Sequence, residues 1–109
     1  MKIFIITGEK SGDMHAANLV KEIKCLNKNL KIKAWGGDRL INEGVDVIKH
    51  INSLSFMGFL EVLKNIFSIK ENLDLCKRNI IDFNPDLILL IDYAGFNLRI
   101  AEFASKKKY

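Results

Sequence analysis

The sequence has few of the residues that interrupt, anchor or cross-link a chain. One proline, Pro85, stands among 109 residues. A membrane-spanning helix needs about 20 apolar residues in a row, whereas the opening run Ile3–Ile6 is too short even for the core of a signal peptide. The two cysteines, Cys25 and Cys76, are too few and too far apart for a disulfide framework or a zinc site. We expect buried, reduced thiols in a protein that is soluble or lies on a membrane surface.

An excess of one charge sign is also missing from the body of the chain. The formal net charge is +4, and the terminal run Lys106–Lys108 accounts for three of those charges. A basic groove interleaved with aromatic residues, the usual footprint of nucleic-acid binding, is absent from the sequence. Apolar residues make up 49% of the chain and charged residues 28%, as in ordinary globular proteins. These values predict one folded domain that does not bind nucleic acid.

Aliphatic and β-branched runs alternate with stretches of helical periodicity. The predicted strands are Lys2–Thr7, Lys31–Trp35, Val45–Ile48 and Asp86–Ile91. The predicted helices run from Met14 to Asn27, from Asp38 to about Asn42, from Leu54 to Asp82, and from near Asn97 to the end. Gly44 and the pair Asn84-Pro85 are expected to end the second and third helices. This alternation predicts an α/β fold, a doubly wound, Rossmann-like parallel sheet with helices on both faces.

The loop after the first predicted strand, Gly8–Asp13, is one candidate site, because open parallel sheets bind ligands at the carboxyl ends of their strands. Its glycines are four residues apart, which matches neither a P-loop nor the three-glycine dinucleotide fingerprint. The carboxylate of Asp13 would also repel a phosphate at that helix end. Two interpretations stay open. Either Asp13 caps a tight turn, or the loop lets the backbone approach a polar substrate whose hydroxyls bond to Glu9 and Ser11.

A second candidate site follows the last predicted strand. Asp92 stands at the end of that strand, where it can act as a general base toward a substrate hydroxyl or simply cap the turn. The residues alone leave both roles open. Asn97 is expected to cap the helix that follows. Neither His15 nor His50 has another ligand at metal-site spacing, so no metal is expected.

The third predicted helix carries an apolar face wider than a surface helix needs. Its apolar residues span about half of the cylinder, opposite Glu61, Lys64, Asn65 and Ser68. Such a face is typical of a buried core, and the alternative is a surface for lipid or for a partner.

Taken in order, these motifs resemble lipid-A-disaccharide synthases. The matching residues are Gly8–Asp13, Gly36-Gly37, Phe56–Leu63, Asp92 and Phe96-Asn97, and the resemblance covers essentially the whole chain. It implies the amino-terminal domain of a glycosyltransferase of the GT-B architecture. That family transfers 2,3-diacylglucosamine from its UDP carrier to 2,3-diacylglucosamine 1-phosphate in the lipid A biosynthesis of Gram-negative bacteria. The transfer inverts the anomeric centre and uses no metal or other cofactor.

The resemblance also implies roles for single residues. Asp92 would be the base that deprotonates the sugar hydroxyl of the acceptor. The implied substrate-binding residues are Gly8, Glu9, Ser11, Gly12, Asp13 and Asn97. The implied membrane or acyl-chain patch is Leu60, Val62, Leu63, Ile66 and Ile69. A protein of this kind would work in the cytoplasm, at the inner face of the inner membrane.

The family's UDP site lies mostly in a carboxyl-terminal domain, whereas this chain ends at Tyr109. We therefore expect residues 1–109 to form an incomplete acceptor-side domain, without the UDP-sugar domain and without transferase activity of its own. One rival hypothesis is a non-catalytic α/β binding module, or a truncated remnant, that acts through the apolar helix. Another is a nucleotide-dependent reductase, against which the missing three-glycine fingerprint counts. The oligomeric state is not predicted.

Overall fold

The structure is a computed structural model that describes residues 1–27, 29–53, 66–91 and 94–107. Strands and helices alternate along these ranges, as the sequence predicts. The elements are β1 (Lys2–Thr7), α1 (Lys10–Leu26), β2 (Lys31–Gly36), α2 (Asp38–Asn42), β3 (Asp46–His50), a 3₁₀ turn (Ile51–Ser53), α3 (Ile66–Phe83), β4 (Leu87–Ile91) and α4 (Ala94–Lys106).

The strands form one parallel sheet in the order β3-β2-β1-β4. Ile5 of β1 lies between Ala34 of β2 and Leu89 of β4. The same order describes the first four strands of a Rossmann fold, in which the chain winds to one side of β1 and then to the other. The predicted fold class is therefore confirmed. Its topological switch point lies between β1 and β4, where Thr7 pairs with Ile91.

The alternation of side chains along β1 divides the core into two layers. Ile3 and Ile5 pack beneath α1 and α2 with Ala16, Ala17, Val20, Ile32, Ala34, Leu40 and Val45. Phe4 and Ile6 face the opposite way and pack beneath α3 and α4 with Trp35, Cys76, Ile80, Phe96 and Ile100. All four β1 side chains are at most 2% exposed. Burial of each such side chain contributes about 1.5–3 kcal/mol, so the central strand anchors both layers.

Two helices begin earlier than the sequence predicts. The Asp13 N–H donates to the Glu9 carbonyl at 3.0 Å, which makes Gly8 and Glu9 the whole connection between β1 and α1. Helix α4 begins at Ala94, so Asn97 lies inside the helix and does not cap it. In both places polar and small residues that favour turns also accept helical geometry once neighbouring elements pack against them.

The predicted ends of α2 and α3 are confirmed. Gly44 has a φ of 81°, the left-handed geometry that glycine adopts without strain. Asn84 has a φ of 50°, and its N–H donates to the Ile80 carbonyl at 2.8 Å, which closes the last turn of α3. The predicted helix from Leu54 to Asp82 is helical from Ile66 onward. Its earlier part lies outside the described residues.

The two cysteines have different environments. Cys76 is fully buried against the α3–α4 layer, and burial raises the pKa of its thiol well above the ordinary value. Cys25 is exposed, so the expectation of burial is wrong for this residue. It lies about 140° around α1 from Val20, outside the stripe that faces the sheet.

Candidate functional site

Asp13 connects the starts of two helices. It lies in the first turn of α1 and is 4% exposed. Its Oδ1 accepts hydrogen bonds from the N–H groups of Gly37 at 2.8 Å and Leu40 at 3.3 Å, and its Oδ2 accepts one from the Arg39 N–H at 3.0 Å. The first amides of a helix have no acceptor within it, and a carboxylate is favourable beside them. Asp13 therefore caps α2, and not the tight turn at the start of α1 that one of the two open interpretations assigned to it.

The glycine pair Gly36-Gly37 allows this close approach. A Cβ at Gly37 would stand 2.7 Å from Oδ2 of Asp13 and 3.0 Å from Cδ1 of Ile51. A Cβ at Gly36 would collide with Cδ1 of Leu40. The pair is required by the packing of α2 against Asp13, since neither residue has a positive φ.

A cleft of about 430 Å³ opens beside this cap, at the carboxyl-end edge of the sheet. Its lining residues come from the starts of α1 and α2, from the end of β3 and from the 3₁₀ turn that follows β3. They are Lys10, Ser11, Asp13, Met14, Asp38, Arg39, His50, Ile51 and Asn52. Most of these side chains are polar or charged, and Met14 and Ile51 add apolar surface. Ligands of open α/β sheets bind at this edge.

The imidazole of His50 is held from both sides within the cleft. Its Nδ1 accepts a hydrogen bond from the Asn52 N–H at 3.1 Å, and its Nε2 lies 2.9 Å from Oδ1 of Asp38. Because Nδ1 accepts, a neutral ring carries its proton on Nε2 and donates it to Asp38. We assign this tautomer from the contacts, and it makes His50 a hydrogen-bond donor to Asp38.

Sequence reasoning assigned no binding role to Lys10, Asp38, Arg39 or His50. They lie on three elements and are up to 40 residues apart in the chain, so no local motif joins them. One signal was available in the sequence, because each of them lies at or just after the predicted carboxyl end of a strand.

Comparison with known proteins decides the family. The sequence model of the family described as lipid-A-disaccharide synthetase matches residues 3–109. The chain belongs to this family. It matches the amino-terminal part of these enzymes. Its parallel α/β sheet agrees with the Rossmann-like fold of that part in a GT-B glycosyltransferase.

Relatives of the chain come from several bacteria. It is 38% identical over 106 residues to lipid-A-disaccharide synthase 1 of Legionella pneumophila (strain Paris), and 38% identical over 104 residues to the synthase of Coxiella burnetii (strain Dugway 5J108-111). The synthase of Geobacter sulfurreducens is 35% identical over 105 residues. These alignments cover 95–97% of this chain but only 27–28% of each relative. No solved structure matches the chain significantly.

The structure brings most of the predicted substrate-binding residues of this family member together. Gly8, Glu9, Ser11, Gly12 and Asp13 form the junction of β1 and α1, where Glu9 and Ser11 are exposed and the other three are buried. Asn97 lies on a different element, within α4, and is 5% exposed. Among these residues Ser11 and Asp13 line the cleft. A substrate role for each of them stays a prediction.

The predicted base and most of the predicted acyl-chain patch lie outside the described residues. These are Asp92, Leu60, Val62 and Leu63; of Ile66 and Ile69 only the backbone, within α3, is described. Ile91, which precedes Asp92 in the sequence, pairs with Thr7, which precedes Gly8. Within the described ranges, no helix is long and apolar enough to cross a membrane, and no three potential metal ligands cluster together.

Proposed function

We propose that this chain forms the acceptor-side domain of a lipid-A-disaccharide synthase. The proposed reaction transfers 2,3-diacylglucosamine from its UDP carrier to 2,3-diacylglucosamine 1-phosphate, with inversion at the anomeric carbon. The observation that carries the proposal is the family match over residues 3–109. Because the chain spans about 28% of the relatives' length, the UDP-sugar site is proposed to lie in the part of those proteins that it does not cover.

In the proposed mechanism Asp92 removes the proton from the acceptor's sugar hydroxyl. The resulting oxygen nucleophile attacks the anomeric carbon of the donor while the bond to UDP breaks on the opposite face. The pairing of Thr7 with Ile91 supports this role, because it brings the strand end that precedes Asp92 beside the one that precedes Gly8. A general base at such a position typically accelerates a reaction by about 10²–10⁴.

The β1–α1 junction is proposed to hold the acceptor. Glu9 and Ser11 are exposed there and can bond to sugar hydroxyls. Asp13 supports them indirectly, because its three hydrogen bonds fix the first turn of α1 against the start of α2. A rigid junction keeps reacting groups in position, and misplacement by about 1 Å can lower a rate 10²-fold.

The test is a chimeric protein in which residues 3–109 replace the matching part of the Legionella pneumophila (strain Paris) relative. We expect the chimera to form disaccharide from UDP-diacylglucosamine and diacylglucosamine 1-phosphate, and the 109-residue chain alone to form none above a protein-free blank. The relative lacking its matching part is the second blank. A chimera that unfolds cooperatively yet makes no product would contradict the proposed function.

The lipid substrates lead to a proposal about the apolar patch Leu60, Val62, Leu63, Ile66 and Ile69. This patch is proposed to meet acyl chains or the inner face of the inner membrane, on the cytoplasmic side. Each large side chain that enters the acyl boundary adds about 1–2 kcal/mol of binding. We expect Leu60→Ser with Ile69→Ser to weaken sedimentation with anionic vesicles about tenfold or more while the chain stays folded.

The matched control for the patch is Leu19→Ser with Leu98→Ser, which removes two exposed leucines from α1 and α4. This control is expected to leave vesicle binding unchanged. If the chain never sediments with vesicles and the Leu60 and Ile69 variant unfolds, the patch is core and the membrane proposal is wrong.

A further inference from the structure

We propose that the cleft beside Asp13 binds a phosphate monoester of a sugar, through the side chains of Lys10 and Arg39. The choice of a sugar phosphate rests on the proposed function, whose acceptor carries a 1-phosphate. The anion-binding character rests on the charges that line the cleft.

Lys10 and Arg39 bring two positive charges to one cavity from two different helices. Neither forms a salt bridge with any residue that the structure describes. A phosphate monoester carries about −1.5 to −2 charges near neutral pH, and charge-assisted hydrogen bonds from Arg and Lys are the usual way to hold it. The volume of about 430 Å³ lies within the range of small-molecule sites.

The main objection to a phosphate at this place is the negative charge of Asp13. The structure removes much of that objection. Both oxygens of Asp13 accept hydrogen bonds from the amides of Gly37, Arg39 and Leu40, and the residue is 4% exposed. The amides of α2 therefore compensate its charge, although Asp13 itself lines part of the cleft.

Asp38 is the carboxylate that works against the ligand. Its side chain is 84% exposed and lines the cleft, with His50 Nε2 at 2.9 Å from its Oδ1. The bond from Asn52 N–H to Nδ1 of His50 orients the ring toward Asp38, so His50 occupies one carboxylate oxygen. These opposite charges predict opposite effects on the affinity for the phosphate. Removal of the Lys10 or Arg39 charge should weaken binding, and removal of the Asp38 charge should strengthen it.

The test measures dissociation constants of the 109-residue chain by calorimetry, with amide chemical shifts to locate binding. The probes are N-acetylglucosamine 1-phosphate, N-acetylglucosamine and inorganic phosphate. We expect N-acetylglucosamine 1-phosphate to bind best, to shift the amides of Lys10, Arg39 and Asn52, and the unphosphorylated sugar not to bind. Lys10→Gln and Arg39→Gln should each weaken binding about tenfold, and Asp38→Asn should tighten it about threefold.

Matched controls carry the same charge changes elsewhere on the surface. They are Lys33→Gln on β2, Arg78→Gln on α3 and Asp74→Asn on α3, and each should leave the dissociation constant within a factor of two. Circular dichroism confirms folding of every variant. The proposal is overturned if the control variants weaken binding as much as the cleft variants, or if inorganic phosphate binds and the sugar phosphate does not. Because this assay needs no transfer, an inactive chimera with intact binding would contradict the proposed function alone.

Discussion

Two grooves of similar size lie at opposite ends of the sheet, and both contain lysine. The carboxyl-end cleft has a volume of about 430 Å³, and the amino-end groove, lined in part by Lys2, Lys31 and Lys33, has about 460 Å³. Size and positive charge therefore do not separate a ligand site from an ordinary surface depression. What distinguishes the two grooves is how far their charged side chains are already engaged by contacts within the fold.

At the amino end two of the three lysines, Lys2 and Lys33, already make contacts within the fold. Nζ of Lys2 donates to the Phe83 carbonyl at 3.3 Å and lies 5.7 Å from the centre of the Phe83 ring, and Nζ of Lys33 lies 5.2 Å from the same centre. The nearby carboxylate of Asp86 accepts a hydrogen bond from the Lys2 N–H at 2.8 Å. At the carboxyl end Asp13 accepts hydrogen bonds from the start of α2. Lys10 and Arg39 form no salt bridge among the described residues.

The largest stability difference between the two ends is expected from their aspartates. Asp13→Ala should lower the free energy of unfolding by about 2–4 kcal/mol, because it leaves three amides at the start of α2 without their charged acceptor. Asp86→Ala removes one exposed hydrogen bond and should lower it by about 0.5–1 kcal/mol. Urea unfolding followed by circular dichroism measures both. Equal losses would show that the Asp13 cap is not the special feature of the carboxyl end.

Glycines at the two ends give the next largest effect. Gly37→Ala should lower the free energy of unfolding by about 1–3 kcal/mol, because the new Cβ would stand 2.7 Å from Asp13 Oδ2. Gly44→Ala, between α2 and β3, should lower it by about 1 kcal/mol, because φ is 81° there.

A double-mutant cycle separates the steric clash at Gly37 from the backbone strain at Gly44. In an Asp13→Ala background, the loss of unfolding free energy caused by Gly37→Ala should be smaller by at least about 0.5 kcal/mol. The reason is that the Asp13 carboxylate, with which the new Cβ would clash, is then absent. The effect of Gly44→Ala should be the same in either background. An additive pair at Asp13 and Gly37 would contradict the close approach on which the cap depends.

The smallest effect concerns the basic side chains themselves. Lys33→Gln should lower the free energy of unfolding by about 0.5–1 kcal/mol through the lost contact with the Phe83 ring. Lys10→Gln and Arg39→Gln should change it by less than about 0.5 kcal/mol, because their exposed side chains take part in no described salt bridge. A large loss at Lys10 or Arg39 would mean that these charges serve the fold and are not held for a ligand.

The sequence predicted the fold because its signals are local. The apolar run of β1 and the glycine at position 44 each fix an element through neighbours close in the chain. Helix starts were predicted less well, since Ser11 and Gly12 favour a loop in isolation and become helical when α1 packs on the sheet. The role of Asp13 was missed because its carboxylate oxygens accept hydrogen bonds from amides about 25 residues away in the sequence. The cleft was missed for the same reason, because only the parallel order of β1, β2 and β3 brings its residues together.

The central claim, that the carboxyl end of the sheet performs transfer, is tested most directly by two substitutions at the two ends of β4. In the active chimera, Asp92→Asn should lower the turnover number by about 10²–10⁴, because it removes the proposed base. Asp86→Asn keeps a side-chain oxygen beside the Lys2 N–H at the amino end and should leave turnover within about a factor of two. Near-normal turnover of a folded Asp92→Asn chimera, or an equal loss in both variants, would contradict this account.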